Sequence, residues 1–366
     1  MSAYRTKGSF GDLSLASGFE HRGVGRELRR SCVGGRSLSA EPYVLEPATI
    51  GAYLRGRGVL PDGCAEVRTL AGGVSNDVLL VSAAGTSVVV KQALARLRVD
   101  EEWLASRARI GVEAAALELA GSLCPDAVPA VLAIVPEDYL LVMDMAPQGL
   151  EPWKEQLLRG QIDKGVAERV GNLIGTWHEA TSRDPAATER FRDKRALIEL
   201  RIDPFYATIA KRYPELSGRI GDLAGALLGA SCCLVHGDLS PKNVMTDGTR
   251  TWVIDWEVAT LGDPVFDLAF MICHLRCKAE ARPGDARRYE ACATAFLEAY
   301  EKAAGEIAGG IDEGALVAHT ACLLLARVDG KSPVGYLQAG PVERIRRLGR
   351  ALLANAPFGL EQIWAA

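Results

Sequence analysis

The stretch "HGDLSPKN", His236 to Asn243, places an imidazole, a carboxylate and a carboxamide just past the apolar run "CCLV". Asp238 follows a strand-like segment, so its carboxylate can face a cleft. Asn243 comes after a loop that contains Pro241. The next segment, "VMTDGTRTWVID", reads as a hairpin that carries Asp255 back to the same place. Two carboxylates and a carboxamide that converge offer hard oxygen donors. Such a set suits Mg²⁺, which binds a few protein oxygens together with substrate phosphates. Any one of these residues alone reads as a loop cap. Together they read as a site.

A complementary half lies upstream. Lys91 ends the run "SVVVK", and an ammonium on an apolar strand face calls for an anion. Glu113 on the following helix and the phosphates of a nucleotide are both candidates. A lysine at a sheet edge that snorkels into water is the plainer alternative. "LAGGVSNDV" puts Gly72, Gly73 and Ser75 in a turn between two strands, where glycines let backbone N–H groups approach phosphate.

The elements that position these groups follow from periodicity and turn residues. "PATIGAYLRGRGVL" predicts a short amphipathic helix. "AEVRTLAG", "NDVLLVSA" and "TSVVVKQAL" predict three strands, the last two joined by the hairpin turn "AAGT". "SRARIGVEAAALELAG" predicts a helix closed by Gly121. "AVLAIV" and "YLLVMDM" are two further strands about the turn "PED", giving the order β-β-β-α-β-β. Beyond Pro147 the pattern is mostly helical: "WKEQLLRG", "KGVAERVGNLIGTWHEAT", and a long stretch from Ile198 to Leu228. Two short strands, "CCLVHGD" and "TWVIDWE", bracket the opening loop, and helices resume from Phe266.

Composition sets the outer bounds. The chain has 366 residues, 48% hydrophobic and 24% charged, enough for one large domain or two lobes. A net charge of −4 gives no electrostatic reason to expect nucleic acid. No apolar run is long enough to span a bilayer, so no membrane partner is expected. Nine cysteines in no regular framework indicate a reducing, cytoplasmic setting. Cys273, His274 and Cys277 fall in "MICHLRCK", but a closed zinc site wants four ligands, so buried free thiols are expected. Residues 1–40, rich in Gly, Ser and Arg, read as a flexible leader. The remainder divides into an N-terminal lobe, 41–146, and a C-terminal lobe, 147–366.

The motifs now support a resemblance. "HGDLSPKN", "VIDWE" and "GDPVFDLA" resemble the catalytic loop, metal-binding strand end and following helix start of the aminoglycoside phosphotransferase and choline kinase superfamily. These are small-molecule kinases with a protein-kinase-like fold. The resemblance implies a two-lobed α+β architecture: a small antiparallel-sheet N-lobe, a mostly helical C-lobe, and ATP between them. It implies that Asp238 is the catalytic aspartate and that Asn243 and Asp255 hold Mg²⁺. It implies that Lys91 grips the α- and β-phosphates and pairs with Glu113, and that the backbone of Asp144, Met145 and Ala146 meets adenine. "VVVKQALARLR", Trp103 and the D-x-E triplet Asp255-Trp256-Glu257 are similar to methylthioribose kinases, which makes Glu257 a candidate second metal ligand.

The expected reaction is ATP-dependent phosphorylation of a hydroxyl on a small molecule. The acceptor classes are sugars or thio-sugars, aminoglycosides and amino alcohols. A thio-sugar or sugar is favoured over a polycation, because the Arg183 to Asp203 segment mixes both signs and carries several arginines. A protein kinase fits less well, since Gly237 replaces the arginine of H-R-D and neither D-F-G nor A-P-E is present. A nucleotide-binding scaffold without turnover is expected to have lost Asp238, Asn243 or Asp255. His236 is expected to brace the loop, His178 to pack within its helix, and Asp263 and Asp267 to cap the next helix and organise the loop. Arg327, Asp329 and Lys331 are either cleft residues or a solvated loop. Oligomeric state has no sequence signal here.

Overall fold

The computed structural model describes residues 41–70, 73–354 and 359–365. The expectation of a leader over residues 1–40 lies outside the described residues, as does Gly72.

Five strands form one antiparallel sheet: β1 (Glu66–Thr69), β2 (Asn76–Ala83), β3 (Thr86–Ala93), β4 (Val131–Val135) and β5 (Leu140–Asp144). Their spatial order is β1-β2-β3-β5-β4. Alternation along the strands gives the sheet two unlike faces. Leu79 and Val81, Val88 and Val90, and Leu140 and Val142 pack with Ile50 and Leu54 of the helix Ile50–Gly56. Leu141 and Met143 face the other way, with Ile110, Ala114 and Leu117 of the helix Arg109–Leu123. Lys91, paired in register with Leu141, shares that second face. Period-two geometry therefore aims its ammonium at the helix that carries Glu113.

The rest of the chain is mostly helical, as expected for the second part of a two-lobed α+β fold. The helix Val265–Ala281 is buried at every position from Val265 to Glu280, its charged residues Asp267, Arg276, Lys278 and Glu280 included. The helices Lys164–Ser182 and Ala286–Ala304 lie very close together. A Cβ on Gly171 would stand 2.2 Å from the Phe296 carbonyl oxygen. Short strands β6 (Glu151–Pro152), β8 (Val244–Thr246) and β9 (Thr251–Val253) form one small sheet, and β7 (Cys233–Val235) pairs with β10 (Thr260–Gly262).

Two expected elements differ. Gly121 does not close its helix, which continues to Leu123 and ends at Cys124. A helical glycine costs about 1 kcal/mol against alanine, too little to end a helix that is packed on a sheet. The helical stretch from Ile198 to Leu228 comes in pieces: a wide π-type turn at Ile198–Ala207, then helices Thr208–Arg212 and Ser217–Gly229. Pro204 lies in the wide turn and has no N–H to donate, so regular α-helical bonding cannot run through it. Cys273 and Cys277 are free and buried. Among the described residues, no single helix is long and apolar enough to cross a membrane.

Candidate active site

The loop after β7 is held from below by the helix Val265–Ala281. Asp267, in the first turn of that helix, accepts from the His236 N–H at 2.6 Å and the Gly237 N–H at 2.9 Å. His178 Nε2 lies 3.2 Å from the same carboxylate. Burial pushes the Asp267 carboxyl up, but His178 and the loop outweigh it and keep it below its ordinary range. Gly237 has φ +75°, and a Cβ there would meet the Val258 carbonyl oxygen at 2.6 Å. Both facts explain why the arginine of H-R-D has no place in this loop. Asp263 Oδ1 accepts from the Val265 N–H at 2.9 Å and so organises the helix start.

His236 ties the loop to the next strand. Its Nδ1 accepts from the Asp238 N–H at 3.1 Å, which leaves Nε2–H to donate to the Ile254 carbonyl at 3.0 Å. Burial holds the imidazole below its ordinary pKa. With both ring nitrogens used, its work is to brace the loop.

Asp238 is turned toward three donors. Asn243 Nδ2 donates to Oδ2 at 2.8 Å, Arg201 Nη2 lies 2.6 Å from Oδ1, and Lys242 Nζ lies 3.7 Å from Oδ2. Arg201 Nε also donates to the Gly237 carbonyl at 2.7 Å. Since Asn243 spends its amide N–H on Asp238, its side-chain oxygen is the atom left to face a cation.

A second carboxylate group stands across the loop. Lys91 Nζ lies 2.7 Å from Glu113 Oε2 and also pairs with Asp255. Asp255 has φ +69°, a left-handed backbone that asparagine and aspartate tolerate better than branched residues do. Burial pushes the Asp255 carboxyl up, but Lys91 and Lys242 together hold it well below the usual carboxylate range. Burial pulls Lys91 down, while Asp255 and Glu113 more than offset it and keep the ammonium charged.

Glu257 is buried, not a surface residue. Its Oε1 accepts from Ser75 Oγ at 2.6 Å, and its Oε2 accepts from Asn76 Nδ2 at 2.8 Å and from Arg109 Nε at 3.0 Å. Arg109 Nη2 in turn donates to the Ser75 carbonyl at 2.6 Å. The glycine turn is thereby fixed over the D-x-E triplet. Oxygens of Glu113, Asp255 and Glu257 all lie within 4.8 Å of one another. Asn243 joins the same neighbourhood, because its backbone carbonyl accepts from the Ile254 N–H at 2.9 Å. An all-oxygen set of this kind fits a hard divalent cation.

Gly73 lies beside Lys242, whose Nζ would stand 3.6 Å from a Cβ at that glycine. Lys242 Nζ also lies 3.8 Å from Asp255 Oδ2. One half-exposed lysine thus reaches the glycine turn and both aspartates. Asp144 and Met145 are at the end of β5, where burial pushes the Asp144 carboxyl up and Met145 is exposed.

Comparison with known proteins gives this arrangement a lineage. A model of the phosphotransferase enzyme family matches residues 66–317. The chain belongs to that family. Methylthioribose kinases of Bacillus velezensis and Escherichia coli are each 26% identical to it. The first match covers 59% of this chain and 63% of the relative, the second 64% of each. The chain therefore spans just under two thirds of the length of these curated relatives. Among solved structures, a choline/ethanolamine kinase family protein from Mesorhizobium loti aligns with a TM-score of 0.50 at 18% identity, covering 82% of this chain and 91% of that one. Amicoumacin kinase hAmiN, solved with AMP-PNP and Ca²⁺, aligns with a TM-score of 0.50 at 14% identity, covering 80% and 89%. These likenesses establish a shared fold.

In this member of the phosphotransferase enzyme family, sequence reasoning missed Arg201, Lys242, Arg109 and Asn76. Arg109 had a signal, since it precedes Glu113 by one helical turn and shares its face. Arg201 had none beyond its place in an arginine-bearing segment. A cavity of about 190 Å³ adjoins Asp238, with Ser240, Lys242, Lys154, His274, Lys278, Arg327 and Tyr336 among its lining residues. Arg327 is thus a cleft residue. Asp329 is not: it pairs with Arg346 at 2.7 Å and accepts from Tyr213. Lys331 donates at the exposed surface to the Glu102 carbonyl. A larger surface groove of about 800 Å³, bordered by Cys124, Arg169 and Lys302, has none of the candidate catalytic residues in its wall.

Proposed function

We propose that this protein transfers the γ-phosphoryl group of ATP to a hydroxyl of a small molecule. One observation carries the reading: Lys242 Nζ lies 3.7 Å from Asp238 and 3.8 Å from Asp255. The aspartate that would meet the acceptor and the aspartate paired with Lys91 therefore flank one point of positive charge. Phosphoryl transfer needs that layout, with charge stabilisation on the phosphate side and an oriented hydroxyl on the other.

Lys91, kept charged and aimed by Glu113, would bind the α- and β-phosphates. The Gly73–Ser75 turn, pinned by Glu257 and Arg109, would lie over them, and the backbone at Asp144 and Met145 would meet adenine. Asp238, oriented by Arg201 and Asn243, would accept a hydrogen bond from the acceptor hydroxyl. Asn243, Asp255 and Glu257 would hold Mg²⁺, which when bound neutralises charge on the phosphates.

The names of the curated relatives, methylthioribose kinases, favour a sugar-like polyol as acceptor. A coupled ADP-release assay over sugars, thio-sugars, amino alcohols and aminoglycosides tests the reading. ADP release that depends on an acceptor and disappears in Asp238→Asn is expected. Acceptor-independent ATP hydrolysis, or turnover undiminished in Asp238→Asn, would overturn it.

A further inference from the structure

The cavity beside Asp238 has a sign. Lys154, Lys242, Lys278 and Arg327 all line it, while Asp238 is the one carboxylate among its lining residues. That carboxylate is already engaged by Arg201 and Asn243. His274, also in the wall, is held neutral by burial. The pocket therefore carries a net positive field in a partly dry enclosure, where charge acts strongly.

Two of the four cations are buried and short of partners. Arg327 is more than nine-tenths buried, and among the described residues its Nε and Nη2 meet no acceptor. Its guanidinium stacks 4.5 Å from the Phe205 ring, so its plane is fixed while donors stay unspent. Lys278 is 1% exposed, and among the described residues its ammonium meets the His274 carbonyl, at 3.4 Å, and the face of Tyr336. Burial pulls its pKa down to about 8. Burying unpaired cations costs stability unless an anion completes them. The two lie on different helices, Val265–Ala281 and Glu313–Asp329, so the fold brings them together from distant sequence.

We propose that the acceptor is a small hydroxylated oxyanion, a carboxylate or phosphate ester, whose anionic group sits between Arg327 and Lys278 while its hydroxyl meets Asp238. The proposal rests on the phosphotransferase reading above and names its substrate class. The volume suits a ligand smaller than most drug-sized molecules. A polycationic antibiotic or a quaternary amine would be repelled. In the transfer itself the acceptor hydroxyl oxygen bonds to the γ-phosphorus. The bond from that phosphorus to the β-phosphate oxygen breaks, ADP leaves with the electron pair, and the hydroxyl proton passes to Asp238.

Two measurements on the full chain decide it. The first compares kcat/KM in a coupled ADP-release assay for matched acceptors: glucose, gluconate, glucose 6-phosphate and glucosamine, and ribose, ribonate and ribose 5-phosphate, with choline as a further cation. An anionic member is expected to exceed its neutral and cationic counterparts by about 100-fold, the scale of one well-placed charged contact. Gluconate and ribonate against the phosphate esters distinguish the two oxyanions. The second titrates inorganic phosphate calorimetrically into wild type, Lys154→Glu, Arg327→Gln and Lys278→Met. Lys154 is half-exposed, so its variant tests the field without disturbing the core. Phosphate affinity is expected to fall about 10-fold or more in each variant, with the melting temperature of Lys278→Met held or raised. Preference for a neutral or cationic acceptor would overturn the anion proposal and leave phosphoryl transfer standing. Variant-sensitive phosphate binding without transfer to any acceptor would do the reverse. Phosphate binding indifferent to all three variants, with no anionic acceptor preferred, would sink the proposal outright.

Discussion

Arg201 holds Asp238 by two routes: its Nη2 stands 2.6 Å from the carboxylate Oδ1, and its Nε donates to the Gly237 carbonyl at 2.7 Å. The arginine comes from the wide turn around Pro204, the aspartate from the loop after β7. On the proposed function, the aim of the Asp238 carboxylate is thus set partly by a residue outside the Lys91–Asp255 cluster. Arg201→Met is expected to lower kcat by about 10- to 100-fold while nucleotide affinity stays near wild type. A steady-state assay beside nucleotide titration checks the split, and a matching loss in nucleotide affinity would contradict it.

Asp238 itself should be essential to turnover and dispensable for folding. Asp238→Asn keeps shape and the hydrogen bond from Asn243 in reach, but it cannot take a proton. Turnover should fall by about two orders of magnitude or more, with melting temperature and Mg·ATP affinity close to wild type. Differential scanning fluorimetry and nucleotide binding give the controls.

Asp255 and Glu257 should separate. Asp255→Ala should weaken Mg·ATP binding strongly, because it removes both a cation ligand and the partner of Lys91. Glu257→Ala should also cost stability, since it strands the buried Arg109 guanidinium; loss of one buried partner costs about 3–5 kcal/mol. Nucleotide titration with and without Mg²⁺, next to urea melts, distinguishes the two. An unchanged melt for Glu257→Ala would show that the glycine turn does not depend on it.

The close pair of helices makes a steric prediction. Gly171→Ala puts a methyl 2.2 Å from the Phe296 carbonyl oxygen and should destabilise by about 1–3 kcal/mol as the helices separate. Gly225→Ala, on a helix face with nothing within 4 Å, should be neutral or stabilising by up to about 1 kcal/mol. Equal melting temperatures for the two variants would argue against the packing described.

Acid sensitivity should come in part from His319. Burial pulls its imidazole down to about 4, so the folded state keeps it neutral, hydrogen-bonded to Tyr206 OH at 2.8 Å. The unfolded chain takes up that proton near its ordinary pKa of about 6.5. More protons bind to the unfolded state between those values, so stability is full above 6.5 and falls as pH drops toward 4. The loss from this residue is at most about 3 kcal/mol. Urea melts at pH 7 and pH 4.5 should differ less in His319→Gln than in wild type.

The sequence alone determined much of the charge layout around Lys91 and Asp255. Strand alternation put Lys91 on the face toward Glu113, and the hairpin after "HGDLSPKN" returned Asp255 to the catalytic loop, because both relationships are local or follow from period two. The two-lobed α+β order was legible for the same reason. Tertiary structure alone decided the rest. Arg201 reaches Asp238 across 37 positions of sequence from a turn widened at Pro204, where helical periodicity gives no guide. Glu257 read as a candidate metal ligand, and its bonds to Ser75, Asn76 and Arg109 arise only when the sheet closes over the D-x-E triplet. Lys278 and Arg327 each look like ordinary helical cations. Their meeting over Asp238 depends on how two buried helices pack, a long-range fact that neither propensity nor spacing encodes.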